Sequence, residues 1–525
     1  MSVTVPPGLI LVVGALLLAL VKGALRDGLV LLLPLLTLAA VWMVPEGYVA
    51  GVPFLDYTLE PVEWSRAGRV FATIFAIMAF VGGLYALRTA STLELVAAFL
   101  YAGSAVGVTF AGDLLTMFVF WELMAVGSAM VLWASDQPGA YRSSMRYLLV
   151  HLFGGVLLMI GIVSHITATG SADFGPMSLE PWYGWLILAG MLVNAGAPPL
   201  GAWIADAYPE ASPSGMVFLS AFTTKTAVFT LLVAFAGERV LIWFGLYMAV
   251  YGVVYAFLEN DMRRILAYSI VNQVGFMVVG VGIGTEMAIN GVTAHAFAHI
   301  VYKALLLMSA GSVLYMTGRR RVTGLGGLVR SMPVTAGAAV VGTLTLASIP
   351  YTSSFASKSL LTQSAAEEHL ALAWFVLYGT AAAVFLAAGL KFVWLVFFGE
   401  DSGLRPSDPP ASMRWPMWIL AAGCLGLGLF PDPLFDILPY PVEYDPYSAY
   451  HLVGQTQVVL FAGLAFFLVL PVMQRGATLT LDFDWFYRRL GTALCGEFAV
   501  RTGEARAAAA TFLKERVYQL IRGLV

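Results

Sequence analysis

The chain has 525 residues, 60% hydrophobic and 11% charged, with a formal net charge of −3 and a mean hydropathy of +0.84. Soluble domains carry about 25% charged residues, so a soluble fold is excluded. Apolar runs of about 18 residues or more recur from end to end, each able to cross ~30 Å of hydrocarbon at ~1.5 Å per residue. The only cysteines, Cys424 and Cys495, make no CxxC, haem or cluster spacing, which argues against a redox centre in this chain. A phosphate loop and a nucleophile–base pattern are also missing, so an enzyme acting on a soluble substrate is not expected, nor is a cofactor or a nucleic-acid partner.

In chain order the predicted spans are 8–22, 28–44, 67–87, 93–111, 114–134, 144–168, 183–205, 214–236, 240–258, 264–283, 287–316, 333–361, 370–399, 414–430 and 452–472. This is an all-α polytopic membrane protein of 14–15 transmembrane helices. The opening "MSVTVPPGLILVVGALLLALV" lacks a basic leader and a cleavage site, and reads as the first span rather than a removed signal peptide. With the N-terminus outside, 21 of the 28 Lys and Arg residues fall in inward loops and the tail. Three (Arg66, Arg69 and Arg239) fall outside, and four (Lys225, Lys303, Lys358 and Lys391) lie within spans. That bias fits a cytoplasmic membrane with the tail inside. In the tail, Leu513, Val517, Leu520, Ile521 and Leu524 form an apolar stripe beside Lys514, Arg516 and Arg522. It predicts a helix on the membrane surface or against a neighbouring protein of the same assembly.

An ionisable side chain at mid-membrane costs at least about 2.5–3.5 kcal/mol and usually marks an ion or proton path. Glu122 stands alone in "LLTMFVFWELMAVGSAMVLW"; Lys225 lies in "FLSAFTTKTAVFTLL", Lys358 in "SSFASKSLL" and Lys391 in "LAAGLKFVWLVFF". His295, His299 and Lys303 share one face of "TAHAFAHIVYKALLLM", since four residues turn ~400° and rise ~6 Å. Histidine titrates near neutral pH, so this face suits a proton relay through water. The two rings alternatively hold a metal, although no third ligand stands nearby in sequence, or simply bond across helices. Lys391 sits nearest a span end and is free to snorkel.

Two spans are interrupted. "LVNAGAPPLGAW" carries Gly196, Pro198 and Pro199, and "TLASIPYTSSFASKSLL" carries Pro350. Proline breaks the helical ladder, and broken helices at membrane depth survive only when buried or lining a cavity. These are the seventh and twelfth spans, five apart, which points to an inverted-repeat ion carrier. The same offset pairs Lys225 of span eight with Lys391 of span thirteen.

The motifs "DLLTMFVFWELMAVGS", "PPLGAWIADAYPEASPSG", "AFTTKTAVF", "NDMRRILAYSIVNQVGFM", "AHAFAHIVYKALLLMSAG" and "SSFASKSLL" resemble, in order, the antiporter-like family. Its members are the MrpA and MrpD types of Mrp-type multisubunit Na+/H+ antiporters and the proton-pumping membrane-arm proteins of respiratory complex I. The similarity covers roughly residues 90–400 and looks closest to the MrpD type. It implies two inverted five-helix repeats, spans four to eight and nine to thirteen, with spans seven and twelve broken. The expected division is therefore N-terminal helices 1–90, first repeat 91–236, second repeat 237–399, C-terminal helices 400–474 and a cytoplasmic tail 475–525.

The resemblance implies roles by position. Glu122 matches the acid of the fifth helix, Lys225 the bridging lysine of the eighth, and His299 with Lys303 the central relay, His295 standing one turn earlier. Lys358 matches the charge at the far end. Two positions depart. The lysine of the seventh helix falls on Asn194, and the central histidine of the tenth on Gln273. Glu122 must then pair with another cation, Lys225 being the nearest in its repeat, or hold a bound proton. The implied function is ion translocation in a multisubunit cation/proton antiporter, moving protons and Na+ or another monovalent cation, with other membrane subunits and the lipid bilayer as partners. A membrane-arm component of a redox-driven complex and a scaffold that no longer transports are the alternatives.

Overall fold

The computed structural model describes residues 5–55, 57–474 and 481–486, with isolated positions at 488, 489, 493, 497 and 503. The stripe at 513–524 lies outside the described residues. Two units separate. Among the described residues of the unit 480–525, Asp484–Phe486 form a helical turn, with Arg488 bonded to Asp484 at 2.7 Å.

The larger unit, residues 1–479, is helical. It begins with α1 Pro7–Leu20 and α2 Gly23–Met43, then a hairpin of β1 Val49–Phe54 and β2 Tyr57–Glu63. After α3 Arg66–Ala86, the first five-helix set is α4 Thr92–Phe110, α5 Leu114–Trp133, α6 Ala140–Thr169, the interrupted α7 Trp182–Ala195 and α8 Trp203–Ala207, and α9 Pro213–Ala221 with α10 Thr223–Phe235. Here α3 is the lead-in helix and α4 to α10 make up spans four to eight. The second set is α11 Val240–Leu258, α12 Met262–Ile283, α13 Glu286–Thr317, the interrupted α14 Pro333–Leu346 and α15 Ser353–Glu367, and α16 Ala371–Val384. The last of these runs through π-turns at Phe385–Leu390 and Trp394–Phe398 that flank α17 Lys391–Val393. Then follow α18 Ala411–Leu429, the short α19 Asp432–Phe435 and α20 Ala449–Met473. Among the described residues eleven helices are long and apolar enough to span, and Pro7–Leu20, Trp182–Ala195 and Pro333–Leu346 are shorter apolar helices.

The two sets share one register. Asp113 caps α5 by accepting from Leu115 N and Thr116 N, and Asp261 caps α12 from Arg263 N and Arg264 N. Around the first cap Leu114 N bonds Ala172 O (2.8 Å) and Phe174 N bonds Gly112 O (2.8 Å). Around the second, Met262 N bonds Arg320 O and Val322 N bonds Asn260 O, both 2.9 Å. Every pair of numbers differs by 148. Gly170 and Gly318, also 148 apart, end α6 and α13 in the left-handed conformation. The sets are offset by five spans, an odd number, so equivalent helices cross the membrane in opposite directions.

Both proline breaks are real interruptions. Gly196 ends α7 at φ 82°, and between α14 and α15 Ser348 (φ 55°) and Tyr351 (φ 67°) adopt left-handed backbone. Such residues persist only where the surroundings fix them. Gln455 of α20 supplies part of that support by donating to Ala347 O (2.9 Å).

The hairpin was not foreseen from the sequence. It docks on the α4–α5 turn, with Gly112 N bonding Glu60 O (2.9 Å) and Glu60 N bonding Asp113 Oδ2 (2.7 Å). A Cβ on Gly112 would lie 2.8 Å from the carboxylates of both Glu60 and Glu63. Burial, then the charges of Glu60 and Asp173, push the Glu63 carboxyl above its ordinary 4.5. A raised folded value means the folded state holds the proton more tightly than the unfolded one. This contribution is therefore fullest below about pH 4.5 and is lost as pH rises through the folded value. Glu63→Gln should raise the thermal midpoint by about 1–2 °C at neutral pH, and scanning fluorimetry at about pH 4 should find the two proteins alike.

Candidate functional site

The buried lysines sit where backbone carbonyls have lost their helical partners. Phe222 breaks the helix between α9 and α10, and Lys225 Nζ donates to Ser220 O (2.7 Å) and Thr224 Oγ1 (3.2 Å). Lys358 Nζ donates to Leu346 O (3.1 Å) at the end of α14. Lys391 Nζ reaches Phe257 O (2.7 Å) and Glu259 O (2.5 Å) at the end of α11. It is 2% exposed, so it does not snorkel to water. Helix C-termini present negative dipole ends, and cations settle there. Among the described residues none of these lysines, nor Lys303, forms an ion pair with a carboxylate.

In the second repeat the predicted residues converge. Asn272 Nδ2 donates to Ala249 O (2.7 Å), which turns its Oδ1 toward Gln273 Nε2 (2.5 Å). That fixes Gln273 Oε1 as acceptor from Tyr302 OH (2.8 Å) and from His295 Nε2 (3.1 Å). A carbonyl oxygen only accepts, so His295 carries its proton on Nε2, and Nδ1 takes the Ser357 hydroxyl at 3.0 Å. Lys303 Nζ donates to Ser269 Oγ (2.6 Å). The His295 and His299 rings lie 6.0 Å apart, and His299 is fully buried with neither nitrogen bonded among the described residues. α13, which carries the relay, packs against α9 of the first repeat, and α10, which carries Lys225, packs against α12 of the second.

Glu122 and Asn194 stand apart from this chain of groups. Glu122 forms no ion pair with Lys225 among the described residues. Its Oε1 is buried without a partner, as are both amide atoms of Asn194. Adjacent glycines of α6 separate the two elements. A Cβ on Gly155 would collide with the Glu122 carboxylate, and one on Gly154 would meet Val193 of α7 at 3.0 Å.

Sequence reasoning missed α20's contribution. A cavity of about 20 Å³, enough for one water, adjoins Lys358 and is lined also by Phe276, Ser359, Tyr378, His451 and Gln455. His451 bonds Ser448 Oγ (2.7 Å) and Tyr444 OH (3.2 Å). The signal was a histidine and a glutamine four residues apart at the start of the last span. No three His, Cys, Asp or Glu side chains among the described residues gather into a group able to hold a metal.

A family model described as "NADH:quinone oxidoreductase/Mrp antiporter, TM" matches residues 111–385. The chain is 30% identical over 357 residues to a probable K+/H+ antiporter protein (A/B type) of Rhizobium meliloti, covering 63% of this chain but only 36% of that protein. It is 27% identical over 443 residues to the D-type component of the Na+/H+ antiporter of Alkalihalophilus pseudofirmus, covering 76% of this chain and 87% of that one. A chain in the solved membrane-bound sulfane sulfur reductase, an archaeal respiratory membrane complex, superposes with a TM-score of 0.80 at 23% identity, over 94% of this chain and 95% of its own. At that identity the likeness is one of fold.

Proposed function

Because this chain belongs to the NADH:quinone oxidoreductase/Mrp antiporter membrane family, we infer that it is the ion-translocating subunit, most like the MrpD type, of a multisubunit monovalent cation/proton antiporter. The observation that carries this reading is the buried, uncompensated row from Lys225 through His299, His295 and Lys303 to Lys358. Burying ions without counter-ions costs several kcal/mol each, and a bundle keeps such groups for transport. Glu122 gates the first repeat. The five divisions at 90, 236, 399 and 474, the outward N-terminus and the inward tail complete the picture, supported by the 21-to-3 bias of basic residues.

The test is Lys358→Ala in the intact complex in inverted membrane vesicles, with ΔpH followed by dye quenching on cation addition. Flux should fall at least about tenfold, and unchanged flux would falsify the path. The family's description, which names NADH:quinone oxidoreductase beside the Mrp antiporter, supports a second reading, a membrane-arm component of a redox-driven complex. Purifying the tagged chain separates the two: small antiporter proteins copurify in the first case, iron–sulfur proteins in the second. Flux lost in Lys358→Ala while the complex still assembles removes the scaffold alternative.

A further inference from the structure

The shared register gives α6 a counterpart of the α13 relay. Subtracting 148 from His295, His299 and Lys303 gives Tyr147, His151 and Gly155. The neighbours correspond too. Tyr147 OH donates to Ser128 (2.8 Å), whose equivalent is Phe276, the ring 6.4 Å from His295. Gly127 packs on Tyr101 N as its equivalent Gly275 packs on Ala249 N.

His151 is 1% exposed and sits on the face of α6 between α5 and the broken seventh span. Its ring stacks on Tyr147 at 3.9 Å and meets Trp203 edge-on at 4.5 Å. Nδ1 lies 2.9 Å from the Tyr147 carbonyl. That oxygen only accepts, so Nδ1 carries the proton and Nε2 presents a bare lone pair. Nε2 has no partner among the described residues.

One turn along the same helix, at the Lys303-equivalent position, Gly155 leaves room that the Glu122 carboxylate fills. Glu122 Oε1, His151 Nε2 and the Asn194 amide are thus three unsatisfied polar groups on adjacent elements, the arrangement that holds ordered water. On the far side Tyr147 OH lies 3.5 Å from Thr223 Oγ1, which lies 2.5 Å from Tyr101 OH. This row of hydroxyls ends at the α9–α10 break that seats Lys225.

We propose that His151 is the proton-accepting group of the first repeat. The Glu122 carboxyl releases its proton through water to Nε2, forming an imidazolium. The same Nε2–H is then released toward the hydroxyl row and Lys225, returning the neutral ring. Nδ1–H stays on the Tyr147 carbonyl throughout and holds the ring in place. The role rests on the ion-translocation reading above.

The experiment compares His151→Asn, His151→Phe and Lys358→Ala in the intact complex, by vesicle flux and by the amount of complex on native gels. Asparagine retains a donor for the Tyr147 carbonyl but offers no base at Nε2. A purely structural histidine is therefore replaced by Asn with full flux, whereas the relay loses it. Both His151 variants should assemble at wild-type levels and lose flux about tenfold or more. Wild-type flux in His151→Asn, with flux lost in Lys358→Ala, overturns the relay and leaves the ion path standing. Wild-type flux in all three overturns both. Should either variant fail to accumulate, His151→Gln, which keeps a polar group near Nε2 without basicity, is read by the same criterion.

Discussion

Lys225→Met should reduce cation-driven proton flux about 100-fold, to background, while the complex still assembles. Methionine nearly matches lysine in length and flexibility, so it fills the space beside the α9–α10 break without carrying charge. Losing the bond from Nζ (2.7 Å) strands Ser220 O at a cost of about 1–3 kcal/mol, offset in part by no longer burying a charge, and too little to unfold a large bundle. What disappears is the cation seated between the repeats, since Lys225 lies on α10, which packs against α12, beside the break whose other side, α9, packs against the relay helix α13. Lys225→Arg sharpens the test. Arginine would cap the Ser220 carbonyl at least as well, but it does not release its proton. If the amine merely satisfies a broken helix, Arg transports normally and Met is mildly impaired. If it passes protons, both variants are inactive. Measuring initial rates of ΔpH collapse in vesicles containing equal amounts of complex decides between them.

The spans were legible because each is long and apolar, and the breaks because proline cannot continue the ladder: the interruptions fall at Gly196–Pro199 and at Pro350, between α14 and α15. The lysines were visible as charges in apolar runs. Their anchorage was not, because Ser220 O, Leu346 O and Glu259 O are backbone atoms freed by geometry that no residue type announces. Lys391 shows the difference. Its place near a span end suggested a side chain reaching water, whereas the carbonyls at the end of α11 hold it inside. The repeat register was present in the sequence, since Asp113, Gly127, His151 and Gly170 recur as Asp261, Gly275, His299 and Gly318. Four coincidences over 148 residues become meaningful only once the bonds around Asp113 and Asp261 prove equivalent. His151 was overlooked for that reason, and the hairpin at 49–63 because its alternation is weak and it contains Gly and Pro.

Arg263→Ala should be the most destabilising single change, preventing accumulation of the folded chain. Arg263 is 1% exposed at the start of α12 in the second repeat. Its guanidinium donates to Pro209 O (3.0 Å), Ala211 O (2.7 Å) and Ser212 O (2.8 Å), all in the linker between the broken seventh span and α9 of the first repeat. That linker is tied down elsewhere as well: Ser212 and Ser214 hydroxyls bond the buried Glu94, and Arg320 bridges Glu210 and Asp261. Removing the fork strands three carbonyls and opens a void between the repeats. At about 1–3 kcal/mol for each unsatisfied acceptor, the loss is at least about 3 kcal/mol, a large share of a protein's usual margin. Lysine cannot span three diverging carbonyls with one compact ammonium, so Arg263→Lys should fall between Ala and wild type in thermal midpoint and yield. Normal accumulation of Arg263→Ala would show that Glu94 and Arg320 alone hold the linker. In that case the repeats are joined chiefly by helix packing, and the polar clamp at Arg263 is dispensable.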